Sequence, residues 1–264
     1  MNTATPLVQL IDIVLKFGDD VVLDGVNLAV HPRDRLVIMG QSGGGKSTML
    51  RLILGLLKPS RGEVRYKHLR VNRLSRGKLN LLRTRMGMVY QYSALISSLT
   101  VRENLALPVE ELGRKSRKEL DRMIEEKLDI VGMSGTEDKL PSELSGGMRK
   151  RVSLARALMM EPELILFDEP SAGLDPVISS VIDELIINLT EQTDATSIIV
   201  THEMESAFRI ATRMAMLFQG KIIQEGTPEA FRTSRNPVVR QFVTGEVEGP
   251  ITEATIHHHA DHTE

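Results

Sequence analysis

The sequence contains no cysteine, which excludes a disulfide framework and any thiolate metal site and fits a reducing compartment. It also lacks an excess of either charge: 33 basic and 35 acidic residues among 264 leave a net charge of -2, well mixed along the chain. That balance gives none of the basic footprint with which nucleic-acid proteins hold a polyanion, so no nucleic-acid partner is expected. No apolar run approaches the roughly 18 residues needed to cross a bilayer. The first ten residues have neither the basic start nor the continuous apolar stretch of a signal peptide. These absences predict a chain that is soluble by itself and that needs a partner for any membrane role. No internal repeat is visible. What is present, 41% hydrophobic and 26% charged residues, suffices to bury the core of one large domain or two small ones.

Residues 7–39 alternate β-rich pieces (8–17, 21–23, 26–30 and 36–39) with turn signals at Gly18-Asp19-Asp20 and Pro32-Arg33-Asp34, predicting a small, mostly antiparallel sheet that leads into a core strand. Met49, Leu50, Ile53 and Leu54 then recur at helical spacing up to Gly55 and Pro59. Between Lys78 and Gly132 helical patterns dominate, with Leu120, Met123, Ile124, Leu128 and Val131 on one face, and a helical insert is expected. Short apolar runs at 164–167 and 197–201 restore α/β character. Between them Asp175 stands as N-cap and Pro176 in the first turn of a helix whose apolar face is Val177, Val181, Ile182, Leu185 and Leu189. Residues 214–224 suggest two short strands around Gln219-Gly220-Lys221. Val238, Val239, Phe242 and Val243 give a short helix before Gly245, with an apolar face that covers either its own chain or another subunit. From Gly249 the chain is polar, with His257, His258, His259 and His262. A solvated, disordered tail is expected there rather than a metal site.

Three constellations carry chemistry. Gly40-Gln41-Ser42-Gly43-Gly44-Gly45-Lys46-Ser47 satisfies G-x-x-x-x-G-K-[ST] between an apolar strand and an amphipathic helix. In such a loop backbone N–H groups and a helix N-terminus surround phosphate oxygens, a lysine reaches the terminal phosphates, and a serine hydroxyl ligates Mg²⁺. The bland alternative is an unliganded strand-to-helix turn. Leu164-Ile165-Leu166-Phe167-Asp168-Glu169 is an apolar strand ending in two carboxylates, at the edge where ligands of α/β sheets bind. One can serve a metal shell and the other can orient or deprotonate a water. Leu144-Ser145-Gly146-Gly147-Met148 opens a helix and is a second phosphate-type nest or, taken alone, an ordinary cap.

With these motifs in order, the chain from about residue 8 to 226 resembles an ABC transporter nucleotide-binding subunit. The likeness adds Gln91 after a strand, Ser171-Ala172-Gly173-Leu174-Asp175, and His202 after a strand. It implies an α/β P-loop NTPase core with an N-terminal antiparallel β subdomain and a helical subdomain insert. The expected domain is 7–245, with the insert at about 92–160 and a largely disordered tail at 246–264. ATP and Mg²⁺ are the implied ligands. Phe17 would stack on adenine, and Gly40, Gln41, Ser42, Gly43, Gly44, Gly45, Lys46, Ser47 and Thr48 would bind nucleotide. Ser47, Gln91 and Asp168 would attend the metal, Glu169 would be the catalytic base, and His202 would grip the γ-phosphate beside Lys46. Ser145, Gly146 and Gly147 would close over the ATP of a second chain and Asp175 would lie in the dimer contact, so a homodimer is implied. Each also has a plain structural role available: core aromatic, loop amide, helix cap or buried polar residue. Met148 stands where many relatives have glutamine, and Phe17 where tyrosine is commoner; neither change removes a phosphate contact or the stacking face.

A narrower likeness rests on residues 144–152, the stretch from Tyr90 to Val101, Asn104-Leu105-Ala106-Leu107-Pro108 and the run from Asn236 to Phe242. These resemble the ATPases of phospholipid-trafficking systems of the maintenance-of-lipid-asymmetry and mammalian-cell-entry type. That likeness implies integral-membrane permease subunits, a periplasmic lipid-binding partner, and a position on the cytoplasmic face of the inner membrane. The alternatives are a small-solute importer with the same catalytic residues, or a non-transport ABC protein, which would carry a long coiled-coil insert or a second cassette. A P-loop kinase would lack Ser145 and its glycines.

Overall fold

The computed structural model describes residues 5–113 and 115–253. Strands β1 (Val8–Phe17) and β2 (Asp20–Val30) form an antiparallel hairpin. The two pieces expected at 21–23 and 26–30 are one strand, because Gly25, at φ +67°, absorbs an extra residue as a bulge. β3 (Arg35–Met39) is a buried apolar strand that runs through the glycine loop into α1 (Lys46–Ile53). β4 (Arg61–Tyr66) and β5 (Leu69–Arg70) complete a four-stranded sheet in the order β2-β1-β4-β5. Only Val64 and Tyr66 of β4 are buried among charged neighbours, too short an alternation to stand out in the sequence.

After α2 (Arg76–Arg83), β6 (Met86–Val89) is the strand that the resemblance puts before Gln91, inside a stretch whose own pattern is mostly helical. Four residues with no alternation give no strand signal, and Gly87 is required there because a Cβ would sit 2.9 Å from the Ala157 carbonyl. The helical insert follows as α3 (Val101–Glu110), α4 (Arg117–Ile130) and α5 (Gly146–Leu158). Capping boxes Thr100/Glu103 and Ser116/Glu119 start the first two. Leu120, Ile124, Leu128 and Val131 are buried as the periodicity predicts.

The chain then alternates through β7 (Leu164–Asp168), α6 (Pro176–Thr193), β8 (Thr196–Val200), α7 (Met204–Ile210) and β9 (Arg213–Phe218). β10 (Lys221–Gly226), α8 (Pro228–Arg232) and α9 (Pro237–Thr244) follow. Asp175 caps α6 by accepting from the amides of Val177 and Ile178 at 3.1 Å. Val177, however, is not on the apolar face: it is 72% exposed, and Ile182, Ile186 and Leu189 form the buried stripe. At the first turn the helix has not yet reached the core.

The second sheet has the order β10-β9-β3-β8-β7-β6, parallel from β9 to β6 with β10 antiparallel at the edge. Successive residues of its strands serve different cores, as the pleat requires. Val37, Met39, Ile165, Phe167 and Ile199 pack with the helical side. Leu36, Ile38, Leu164, Leu166, Ile198 and Val200 pack with α1 and the antiparallel sheet.

α9 lays Val239, fully buried, with Val238, Phe242 and Val243 on the helical-side core of its own chain. The apolar face is thus covered in cis. Order also continues past Gly245, contrary to expectation. Residues 250–253 make a helical turn, and the Gln241 side chain accepts from the Ile251 amide at 2.8 Å and donates to the Thr252 hydroxyl at 2.9 Å. The histidines at 257, 258, 259 and 262 lie outside the described residues. Replacing Val239 with alanine opens a cavity where α9 meets the core and should cost about 2 kcal/mol, a fall in Tm of about 4–8 °C by calorimetry. An unchanged Tm would mean that α9 is not docked in solution.

Candidate active site

The parallel register brings the chemistry to one edge. Ile38 of β3 aligns with Val200 of β8, and Val200 with Asp168 of β7, so the residues that follow these strands emerge side by side. The Thr201 amide donates to the Ile38 carbonyl at 3.3 Å and the Glu169 amide to that of Val200 at 2.9 Å, extending the ladder one step past the strand ends.

The glycine loop leaves β3 at Gly40, φ +149°, where a Cβ would lie 2.1 Å from the Leu217 carbonyl; only glycine fits. At Gly45, φ +96°, a Cβ would press on Leu23 and Val22 of β2 at 3.0–3.2 Å. The antiparallel sheet therefore presses against the loop. Lys46 is buried and its ammonium donates to the carbonyls of Gly40 and Gln41, both at 2.8 Å. Burial pulls its pKa down, and the charges of Glu169 and Asp168 oppose that fall. The Ser47 hydroxyl donates to Asp168 Oδ1 at 2.6 Å. A hydroxyl and a carboxylate oxygen at a phosphate loop are the hard donors that Mg²⁺ takes alongside water and substrate phosphate, so this pair fits that ion. Thr48 follows, half-buried in the first turn of α1.

Glu169 is buried, with a left-handed backbone at φ +51°, a strained conformation for a residue with a side chain. Its Oε1 lies 2.9 Å from His202 Nδ1, and its Oε2 accepts from the His202 amide at 3.4 Å. Phe17 ends β1, paired with Asp20 beside the Val22 that touches the loop, and is 52% exposed. Its ring is therefore open to solvent on the loop side of the antiparallel sheet.

Gln91 follows β6 at the same sheet edge, since Val89 aligns with Phe167. The loop it begins is held by α5. Lys150, buried, donates to the carbonyls of Gln91 and, at 3.2 Å, Glu169. Ser153 and Arg156 donate to the Ser93 carbonyl at 2.8 and 3.1 Å, and Arg156 also to that of Ala94 at 2.7 Å. Sequence reasoning missed Lys150. In Met-Arg-Lys-Arg it looks like one more exposed helix charge, and its only signal is the i, i+3, i+6 row with Ser153 and Arg156. It also missed Glu203, which accepts from the Ser171 hydroxyl at 3.0 Å and so ties the segment after Glu169 to that after His202.

Ser145, Gly146 and Gly147 are not brought to the phosphate loop. They open α5, where the Ser145 side chain accepts from the Met148 amide at 3.3 Å, and line a cavity of about 520 Å³ with Gly173, Leu174 and Asp175. No residue of the phosphate loop, 40–47, lines that cavity. Gly147 has a packing reason too, as a Cβ would come within 2.7 Å of Ile178. One chain thus carries two separated halves, a phosphate loop with its carboxylates and a nest.

The profile of the ABC transporter family matches residues 23–172. The intermembrane phospholipid transport system ATP-binding protein MlaF of Haemophilus influenzae is 40% identical over 245 residues, covering 93% of this chain and 93% of that protein. The probable ribonucleotide transport ATP-binding protein mkl of Mycobacterium leprae is 40% identical over 235 residues, covering 89% of this chain and 68% of that protein. Among solved structures, the dimeric post-hydrolysis state of the ATP-binding cassette MJ0796 bound to ADP and Pi superposes with a TM-score of 0.77 at 34% identity. It covers 84% of this chain and 98% of that one. By its profile match, its full-length relatives and the geometry of its loop and carboxylates, the chain belongs to the ABC transporter family, as one of its ATP-hydrolysing cassettes.

Proposed function

We propose that this chain hydrolyses ATP to power phospholipid transport across the cell envelope. It would do so as a homodimer on the cytoplasmic face of the membrane, beneath a separate permease and with a periplasmic lipid-binding partner. The observation that carries the ATPase reading is the convergence of Lys46, Ser47, Asp168, Glu169 and His202 at one sheet edge. The lipid reading is supported by the 40% identity to the phospholipid transport protein along 93% of each chain. The relative named for ribonucleotide transport is as similar over a shorter share of its length, and it defines the second reading, in which the cargo is a polar solute. Extracting the purified assembly with organic solvent separates the two: co-purified phospholipid is expected, and a nucleotide-type solute with no lipid overturns the lipid reading.

In the cycle, Lys46 exchanges its two loop carbonyls for oxygens of the terminal phosphates, aided by the loop amides and the N-terminus of α1. Ser47 and Asp168, with Gln91 beside them, would hold Mg²⁺, which supplies charge neutralisation at the phosphates. Glu169 accepts the proton of the attacking water, and its strained backbone and the His202 contact fix where the carboxylate points. His202, with an imidazole about half exposed, is free on its outer edge to reach the γ-phosphate. Ser145, Gly146 and Gly147 of the second chain complete the site. Their separation from the phosphate loop within one chain supports this reading, as does the dimeric neighbour.

Glu169→Gln should leave nucleotide affinity within about twofold and lower turnover by about 10²–10⁴, trapping ATP in a dimer detectable by size-exclusion chromatography; turnover near that of the unaltered protein would disprove the base assignment. In a fluorescent-nucleotide titration Lys46→Ala should lose binding itself by about tenfold or more. Ser145→Arg should bind normally yet not turn over; equal loss of affinity in both would sink the two-chain site.

The permease is assigned to the surface after Gln91. Tyr92 is 87% and Ile96 41% exposed, and Arg156, which binds the carbonyls of Ser93 and Ala94, also lines a groove of about 600 Å³ with Arg83, Met86, Met88 and Leu107. Leu95 instead packs on the core. Tyr92→Asp with Ile96→Asp should detach the subunit from the detergent-solubilised complex with Tm unchanged, whereas co-purification at the original ratio would place the docking surface elsewhere.

A further inference from the structure

Lys150 lies in the second turn of α5, a helix of the insert, yet its ammonium is buried against two loops of the α/β core. A buried ammonium is tolerated only where its N–H groups find acceptors, and here the acceptors are the main-chain carbonyls of Gln91 and Glu169. Both belong to backbone that does not hold its own shape. Glu169 is left-handed at φ +51°, and the loop after Gln91 has two consecutive left-handed residues, Ser93 at +62° and Ala94 at +48°. Such conformations persist only where surrounding contacts impose them. Along one face of α5, Lys150, Ser153 and Arg156 capture the carbonyls of residues 91, 93 and 94 in turn. Lys150 alone also reaches Glu169. Burial pulls the Lys150 pKa down, and the negative charges of Glu169, Glu203 and Asp168 oppose that fall.

We propose that Lys150 is a positioning residue for ATP hydrolysis: by holding the carbonyls of Gln91 and Glu169 on one ammonium, it orients the Glu169 carboxylate and makes that orientation depend on the loop after β6. The proposal rests on the reading of Glu169 as the base. Its consequence is directional. A displacement of residues 91–94, which adjoin the exposed Tyr92 and Ile96, pulls on α5 and on Glu169 through the same side chain. Nucleotide affinity, set by the glycine loop and Lys46, does not pass through Lys150.

The test is steady-state ATP hydrolysis and equilibrium binding of a fluorescent ATP analogue by the full chain, with Lys150→Met, Lys150→Gln and Lys150→Arg. Lys150→Met should lower kcat by about 10–100-fold with KM and nucleotide affinity within about twofold. Lys150→Arg, which keeps the charge and the donors, should recover at least a tenth of the original kcat and exceed Lys150→Met by severalfold. Melting curves accompany each variant. If Lys150→Met does not fold, Lys150→Gln, with a shorter, uncharged amide in place of the ammonium, should show the same fall in kcat at constant KM. A folded Met or Gln variant with unchanged kcat overturns the proposal, as does a parallel loss of nucleotide affinity or an arginine variant no better than methionine. Glu169→Gln, run alongside, separates the two ideas. Normal turnover there removes the base assignment itself, whereas an inactive Glu169→Gln with a fully active Lys150→Met removes only the role of Lys150.

Discussion

The alignment of three parallel strands governs this molecule. β3, β8 and β7 are neighbours in register, and each ends in a different part of the site: the glycine loop, the segment of His202, and the carboxylates Asp168 and Glu169. Because hydrogen bonds continue one residue beyond β7 and β8, Glu169 and Thr201 are fixed by main-chain geometry rather than by side-chain choice. The 2.6 Å contact of Ser47 with Asp168 and the 2.9 Å contact of Glu169 with His202 join residues far apart in sequence, and both depend on that alignment. The two cores on opposite faces of the sheet hold the alignment, since slipping a strand by one residue would exchange its buried sets.

α5 makes the second connection. Its N-terminus carries the nest of Ser145, Gly146 and Gly147, its middle carries the row from Lys150 to Arg156, and its opposite side packs Val152, Leu154 and Ala155 into the core. A helix is stiff over this length, so a loop captured by its middle and a nest formed at its end move together. The 2.7 Å approach that a Cβ at Gly147 would make to Ile178 further locks the helix to α6, whose cap is Asp175. The nest, the Asp175 cap and the main chain of Glu169 are thereby mounted on one mechanical unit.

Much of this was legible in the sequence because it depends on local rules. The phosphate loop, the apolar strand ending in Asp168 and Glu169, the Asp175 cap, the helix of Leu120 to Val131 and the hairpin at Gln219-Gly220 each follow from side-chain periodicity or from a turn that needs particular residues. The resemblance carried the order of motifs and hence the family. β4 was not legible, and β6 only through the resemblance that puts Gln91 after a strand, since short strands among charged or small residues are held by neighbours distant in sequence. Val177 failed as a face residue for the same reason: periodicity gives a helix its stripe but not the turn at which the core begins. Residues 246–253 look like a tail by composition, yet Gln241 bonds to residues 246, 247, 251 and 252, Arg240 pairs with Glu246, and Ile251 packs on the core.

The phosphate-binding class is written locally in the residues, because a phosphate loop needs glycines, a lysine and a hydroxyl in a fixed order between a strand and a helix. Only the tertiary structure decided which of these groups meet. It brought His202 to Glu169, kept Ser145 away from Lys46, and turned Lys150 from an apparent surface charge into a buried bridge between Gln91 and Glu169. The physical reason is that strand order, helix docking and backbone strain are set by nonlocal burial, whose energy belongs to pairs of distant segments and is written in neither segment alone.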